Sequence, residues 1–500
     1  MTWLAPSSLR GYERSFAAIL PLAALVLAVS FALVFLLGPQ GERMATVIAI
    51  YGVCVLGLMS FSGNTGVISF GHAGFVGVGA YLSGLLTMPA ALQRTAFPNL
   101  PSWLAGHELG LVASFSVVAV VAVLFAAVAG WPINRLKGSS ASIATLGFLI
   151  IVYTTLAGAV SITRGNQTFY GQPRFTTLAL ALILFVAAIA AAALFKESRQ
   201  GLFARALRDN EAGAVACGVN PLWPRWTAWI VSAVLAAMGG ALFGHFLGAF
   251  SPRTFYFDLT FFIVAMAILG GLYSVSGAVI GVISVSLLIE VLRVFETGVT
   301  IAGFKTPALL GIGQLGVGLG ILLMLLLRPK GLFGWQEIQV PLPRFFRRQN
   351  APAPVARAST ASMSLEGLAK RYAGVVAVDG VTCQIESGRI TGLIGPNGAG
   401  KTTLVNLITG HVAPTAGVVR LGNRTLSGLC ADHIARIGIA RTFQNIRIFD
   451  KLSVGDNVVI AAMASGLSRR QAFAVAEREV SALDLTALFD HNAGGLAYGP

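Results

Sequence analysis

The first two-thirds of this chain is a succession of apolar stretches, each about as long as a bilayer is thick. A helix needs about 20 apolar residues to cross the hydrocarbon core. Runs of that kind lie at 15–37, 44–60, 71–89, 110–130, 141–160, 176–195, 226–250, 259–273, 276–293 and 307–327. Inside lipid no water satisfies the backbone, so every N–H and C=O must find a partner within the protein. Residues 1–335 are therefore expected to form a polytopic α-helical membrane bundle of about ten spans. The run at 71–89 is rich in glycine and reads as broken or re-entrant. The run from 259 to 293 reads as a hairpin or two short helices around Gly270-Gly271. Arg10 and Arg14 precede a first run that is longer than a signal-peptide core and lacks a small-residue cleavage site, so it reads as a span.

The charge distribution fits this reading. Only 11% of the 500 residues are charged and the formal net charge is +15. Ten spans put both ends on one side. That side collects Arg10, Arg14, Arg135, Lys137, Lys196, Arg199, Arg205, Arg208, Arg328 and Lys330, the excess expected of a cytoplasmic face. The other side keeps Arg43, Arg94, Arg164, Arg174, Arg253 and Lys305. No basic stripe with interleaved aromatics appears, so nucleic acid is excluded as a partner. Cys54, Cys217, Cys383 and Cys430 are far apart and the six histidines are scattered, which leaves no disulfide framework and no metal-ligand spacing.

Two polar stretches interrupt the pattern. Residues 196–225 are too polar to span, and predict a short amphipathic helix over about Phe203 to Cys217, stopped by Gly218 with Pro221 beyond. Its readings are a solvated loop helix or a helix that docks on a second domain. Residues 336–362 carry Pro341, Pro343, Pro352 and Pro354 beside Arg344, Arg347 and Arg348, the composition of an extended, exposed linker. The basic cluster suits anionic lipid headgroups. In the bundle, Asn64 and Ser69 are polar groups at membrane depth that must face protein or a wet cavity.

From Met363 the pattern becomes α/β, with short β-like runs at 364–368, 379–385, 389–394 and 416–421, a further run from Gly438 to Phe443, and helices over about 453–464 and 468–488. Between the third run and a helix lies Gly395-Pro396-Asn397-Gly398-Ala399-Gly400-Lys401-Thr402-Thr403. Its glycines permit backbone angles that turn N–H groups inward, and these amides with the helix N-terminus bind anionic oxygens. Lys401 is placed to reach the β- and γ-phosphates of ATP and Thr402 to give a hydroxyl to Mg²⁺. A phosphate cradle joined to a membrane bundle points to ATP-driven transport.

The stretches RYAGVVAVDGVT (371–382), GPNGAGKTT (395–403), GIARTFQNIRIF (438–449) and LAYG (496–499) resemble the ATP-binding subunit of branched-chain amino acid ABC importers. GNTGVISFGHAGFVGVGAY (63–81), RALRDNEAGAVACGVNP (205–221) and AILGGLYSVSGAVIG (267–281) resemble the permease subunit of the same systems. The resemblance implies Tyr372 as the adenine platform and Gln444 as the residue that senses Mg²⁺ and γ-phosphate. The ATP-binding set is then Tyr372, Gly395, Asn397, Gly398, Ala399, Gly400, Lys401, Thr402, Thr403 and Gln444. It implies a coupling loop in which Glu211, Ala214 and Gly218 match the pattern while Gly213 stands where the family has alanine. Ala278 stands where the permease family often has proline.

The partners implied are a second permease, a second ATP-binding subunit, a periplasmic binding protein and membrane lipid, all at the bacterial inner membrane with the ATP-binding domain cytoplasmic. The substrate implied is a branched-chain or other hydrophobic amino acid, with urea or a short amide as the alternative. Residues 363–500 cover the first half of an ABC ATPase domain, expected to be truncated. Pro500 stands where the signature loop has glutamine, and no apolar run ending in Asp-Glu and no switch histidine follow the phosphate loop. A membrane protein that binds ATP without hydrolysing it is the rival reading.

Overall fold

The computed structural model describes residues 12–102, 104–296, 300–301, 304–305, 311–328, 331–340 and 361–496. Most of the 336–362 stretch, with its four prolines and four arginines, lies outside the described residues, as do residues 497–500, which include most of the LAYG stretch. The chain divides into two compact units. One comprises 1–205 and 222–345, the other 206–221 and 346–500.

The first unit is helical. Its helices are α1 (Tyr12–Leu37), α2 (Pro39–Thr65), α3 (His72–Thr87), α4 (Ala90–Ala96), α5 (Leu111–Ile133), α6 (Gly138–Gly158), the single turn α7 (Val160–Thr163) and α8 (Leu178–Glu197). Helix α9 (Arg199–Asp209) then runs into the second unit, where α10 (Glu211–Ala216) follows. The chain returns with α11 (Leu222–Leu247), α12 (Phe257–Gly270), α13 (Val275–Glu296) and α14 (Ile312–Leu327). Among the described residues eight helices are long and apolar enough to cross a membrane, nine if α3 and α4 make one bent span. The two are bent by 117°, and the bend falls at the end of the glycine-rich run, at Met88-Pro89, while the run itself forms the continuous α3. Helices α12 and α13 separate at Gly271, whose φ of 126° only glycine adopts easily. Two-residue ladders β1 (Phe169–Tyr170) with β2 (Ala249–Phe250), and β3 (Thr300–Ile301) with β4 (Phe304–Lys305), close two of the connections.

Helix α2 lies at the centre, with 83% of its most apolar window buried against 22% for α1 and α5. It packs on α11, which also crosses α3. Apolar burial does not drive helices together in lipid, so the seam relies on close backbone approach. A Cβ on Gly79 would meet the carbonyl oxygen of Ala237, and one on Gly240 that of Val76. Asn64 and Ser69, the polar groups expected at depth, find their partners inside the protein. Asn64 Nδ2 donates to the Ser60 carbonyl at 2.8 Å. His72 bridges Ser69 Oγ (2.8 Å) and Ser232 Oγ (3.0 Å), joining the non-helical stretch before α3 to α11. In neutral His245, Nδ1–H donates to the Pro173 carbonyl (2.7 Å) while Nε2 accepts from Ser83 (2.8 Å).

Residues 331–340 do not hang free. Leu332 and Phe333 donate their amides to the carbonyls of Leu269 and Gly270 (3.0 Å each), and Val340 donates to that of Ala17 (3.1 Å). The linker composition therefore begins inside a docked segment. The charge of Glu337 marks a bound residue here, because its carboxylate sits on the N-terminus of α13.

The second unit carries a four-stranded antiparallel sheet, β5 (Met363–Tyr372), β6 (Val375–Ile385), β7 (Ala416–Leu421) and β8 (Arg424–Thr425), in the order β6-β5-β7-β8. Helices α15 (Lys401–Ile408), α16 (Ala431–Ile437), α17 (Val454–Ala464) and α18 (Arg469–Ala482) complete it. Leu365, Leu368, Val378, Leu404, Leu407, Val419, Leu426 and Ile434 form the core between sheet and helices. Two expected strands are absent from it. Residues 389–394 have no ladder partner among the described residues, and Ile390 and Ile394 are almost fully exposed. A strand is defined by its neighbours, and β-propensity alone does not supply one. The run from Gly438 to Phe443 is irregular, because Arg441 within it is drawn to α15 (below).

Candidate functional site: a phosphate loop and a docked segment

Helix α15 starts at Lys401, immediately after the glycine-rich loop. Gly398 (φ 85°) and Gly400 (φ 82°) are both left-handed, the conformation that costs other residues most. At Gly400 a side chain is also sterically barred, since a Cβ would meet the carbonyl oxygen of Ala377 on β6. The loop is thus pressed onto the β5–β6 hairpin. Lys401 Nζ donates to the carbonyls of Gly395 (2.5 Å) and Pro396 (2.7 Å), which gathers the ammonium over the loop. Thr402 is exposed in the first turn of α15, and Thr403 follows it half-buried. Gly395, Asn397, Gly398 and Ala399 are exposed in the loop itself.

Tyr372 ends β5 at the turn of the same hairpin, opposite Val375, and is 46% exposed. Lys370 Nζ lies 5.1 Å from its centroid. The hairpin therefore carries both the exposed aromatic and the backbone against which the loop rests. Gln444 is exposed. Three positions before it, Arg441 Nη1 donates to Asn406 Oδ1 (2.5 Å) and Thr409 Oγ1 (3.2 Å) on and just beyond α15. The guanidinium also lies 4.7 Å from the Phe443 centroid, and that ring meets His411 edge-on at 5.8 Å. Burial first, and then the charge of Arg441, hold the His411 pKa below the ordinary histidine value. Nothing near Arg441 in the sequence gives it a role, because its partners are 32 and 35 positions away.

The segment 206–221 is part of this same unit. The amphipathic helix expected over Phe203 to Cys217 is two helices, α9 and α10, broken at Asn210. The Asn210 side chain accepts from the Gly213 amide at 3.0 Å and caps α10, the role asparagine prefers over a helix interior. Gly218 (φ 95°) ends α10 as expected. Its carbonyl accepts from Arg436 Nε at 2.9 Å. Arg436 Nη2 and Asn220 Nδ2 both donate to Asp432 Oδ2 (2.8 and 3.2 Å), a carboxylate that is nearly fully buried. The Lys451 amide donates to Asp209 Oδ2 at 2.8 Å. Ala214 is wholly buried, and Glu211 occupies the first turn of α10, where a carboxylate favours the helix dipole.

Gly213, the departure from the alanine pattern, has a local cause. A Cβ there would lie 2.5 Å from the carbonyl oxygen of Arg447 and 3.2 Å from its Cβ. Alanine does not fit at this approach. Asp432, Arg436, Arg447 and Lys451 carried no signal in the sequence that tied them to residues 206–221. Among the described residues no group of His, Cys, Asp and Glu could hold a metal ion by itself.

Comparison with known proteins agrees with both halves of this anatomy. Residues 378–499 match the ABC transporter family. The ATP-binding part is similar to the high-affinity branched-chain amino acid transport ATP-binding protein BraF of Pseudomonas aeruginosa, 38% identical over 152 residues, or 27% of this chain and 60% of that protein. The high-affinity branched-chain amino acid transport ATP-binding protein LivG of Escherichia coli is 39% identical over 154 residues, again 27% and 60%. The chain thus spans 60% of the length of these ATP-binding relatives. The permease LivM of Escherichia coli is 27% identical over 358 residues, 64% of this chain and 76% of that protein. Residues 41–327, more than half of the chain, match the family described as the permease component of the branched-chain amino acid transport system, and it is to this family that the chain belongs.

Proposed function

We propose that this multi-pass membrane protein is a fused permease and ATP-binding subunit for the uptake of branched-chain or other hydrophobic amino acids across a bacterial inner membrane. The observation that carries the reading is the membership of residues 206–221 in the nucleotide-binding unit. In sequence they lie between α8 and α11 of the bundle, yet Asp209, Gly218 and Asn220 bond to Lys451, Arg436 and Asp432. Nucleotide held at 395–403 and a segment continuous with the membrane helices thus share one folded body.

In this reading the amides of Gly398 to Thr403 and the Lys401 ammonium bind the phosphates, and Tyr372 stacks on adenine. Thr402 and Gln444 would be the protein groups that hold a Mg²⁺ brought in with the phosphates. That donor set fits the ion, which usually takes few protein ligands beside phosphate and water. ATP supplies the free energy when bound, and closure of paired ATP-binding domains moves the Glu211 to Gly218 segment. A second permease, a second ATP-binding subunit and a periplasmic binding protein complete the machine.

The test has two arms. Titration of the full chain in vesicles with a fluorescent ATP analogue and Mg²⁺ should saturate, and Lys401→Ala should weaken binding by about ten- to a hundredfold, the worth of a charge-assisted contact. Uptake of labelled leucine into vesicles holding the assembled partners should depend on ATP and fall with the same substitution. Undiminished nucleotide binding by Lys401→Ala, or leucine uptake indifferent to ATP, refutes the reading.

A further inference from the structure

The first unit contains a charged cluster that the functional reading above does not use. Lys196, at the last turn of α8, donates from Nζ to Glu337 Oε1 (2.6 Å) and to the Tyr273 carbonyl (3.0 Å). Glu337 lies on the docked segment 331–340. Its two oxygens also accept from the amides of Val275 (2.8 Å) and Ser276 (2.9 Å) and from Ser276 Oγ (2.7 Å). Ser276 Oγ accepts in turn from the Ile338 amide (2.8 Å). The carboxylate thus caps the first turn of α13, satisfying amides that have no partner within the helix. Both charged side chains are mostly buried, at 11% and 13% exposure. On the α8 side the network continues, since Arg205 Nη2 donates to the Lys196 carbonyl (2.9 Å) and to Glu197 Oε1 (3.1 Å). Trp335 stacks on Tyr273 with centroids 3.9 Å apart.

The position of this cluster along the chain gives it meaning. The chain leaves the first unit at residues 205–206 and again at 345–346. Arg205 is the last residue before the first exit, and Glu337 lies shortly before the second. A single hydrogen-bonded cluster therefore ties both exits to one helix end. Simple anchoring of a tail would need only one of these ties.

We propose that Lys196 and Glu337 are positioning residues that clamp the two exits to the N-terminus of α13, so that displacement of the nucleotide-binding unit reaches α8 and α13 together. A membrane helix joined to a partner through one loop would receive that displacement through residues 206–221 alone. Here the docked 331–340 segment gives a second covalent path, and Glu337 fastens it. The proposal rests on the functional reading only in taking nucleotide as the source of the displacement.

Hydrogen exchange on the full chain in lipid nanodiscs tests it, with and without the Mg²⁺ complex of a non-hydrolysable ATP analogue. Nucleotide occupancy is measured in the same samples, and peptides covering 196–205, 206–221 and 275–283 are followed. In the wild-type chain nucleotide should change exchange in all three. Glu337→Gln, at unchanged occupancy, should keep the change in 206–221 and lose it in 275–283, while raising basal exchange there by about tenfold as the charged cap weakens. Lys196→Met should behave alike and Lys196→Arg should retain the response. The reversed pair, Lys196→Glu with Glu337→Lys, should not rescue it, because an ammonium cannot accept from the Val275 and Ser276 amides. A nucleotide response in 275–283 that survives Glu337→Gln, or that the reversed pair restores, overturns the proposal. Failure of the wild-type chain to bind nucleotide counts against the functional reading instead. The clamp is then read from basal exchange, which Glu337→Gln must raise in 196–205 and 275–283 together, and a rise in one alone overturns it.

Discussion

Replacing Gly213 by alanine tests the docking of residues 206–221 at its tightest point. Two effects oppose each other. Alanine favours helix over glycine by up to about 1 kcal/mol, and position 213 is inside α10. Against this, its Cβ would stand 2.5 Å from the Arg447 carbonyl oxygen, where ordinary contact begins at 3.4 Å. The segment must retreat by roughly 0.9 Å, and overpacking of a closed contact costs about 1–3 kcal/mol. The clash wins, leaving docking weaker by about 1 kcal/mol, or roughly fivefold in the docked-to-undocked ratio. That retreat would also lengthen the bond from the Lys451 amide to Asp209. Exchange at the Lys451 amide, or the rate of disulfide trapping between cysteines placed at 212 and 447, reports it in the full chain. If Gly213→Ala leaves both unchanged, or slows exchange, the helix-propensity gain has prevailed and the close approach does not hold residue 213 to glycine.

Two other outcomes follow from the same unit. Asp432→Ala strips the shared acceptor from Arg436 and Asn220. Because Arg436 is 41% exposed, the loss should be about 1–2 kcal/mol and not the full cost of a buried ion pair, read as a lower melting temperature and looser 206–221 exchange. His411 should give the unit an acid-sensitive stability. Its folded pKa lies below the ordinary 6.5, so the unfolded chain binds the proton more readily. The stability it contributes is whole above that value and is lost as pH falls beneath it. His411→Gln should flatten the melting temperature between pH 7 and pH 5, roughly the span in which a histidine titrates, and an unchanged slope would dismiss the histidine as its source.

The membrane half was legible because a bilayer imposes one length scale on every span. The apolar runs coincide with helices, and the two that looked irregular, at 71–89 and around Gly270-Gly271, are where α3 bends into α4 and where α12 yields to α13. The glycine-rich loop at 395–403 was legible as a loop because its pattern is local, with two left-handed glycines directly before α15. What escaped was non-local. Residues 389–394 looked like a strand, but strands need neighbours and the described residues offer none. Glu337 looked like linker, since nothing near it in sequence announces the amides of Val275 and Ser276. Asn210 read as part of a continuous helix, and its capping bond splits that helix in two.

The seam between α3 and α11 sets a limit on how the bundle can move. With main chains touching at Gly79 and Ala237, and again at Val76 and Gly240, sliding by a single residue would drive side chains into carbonyls. This pair must travel as one axle.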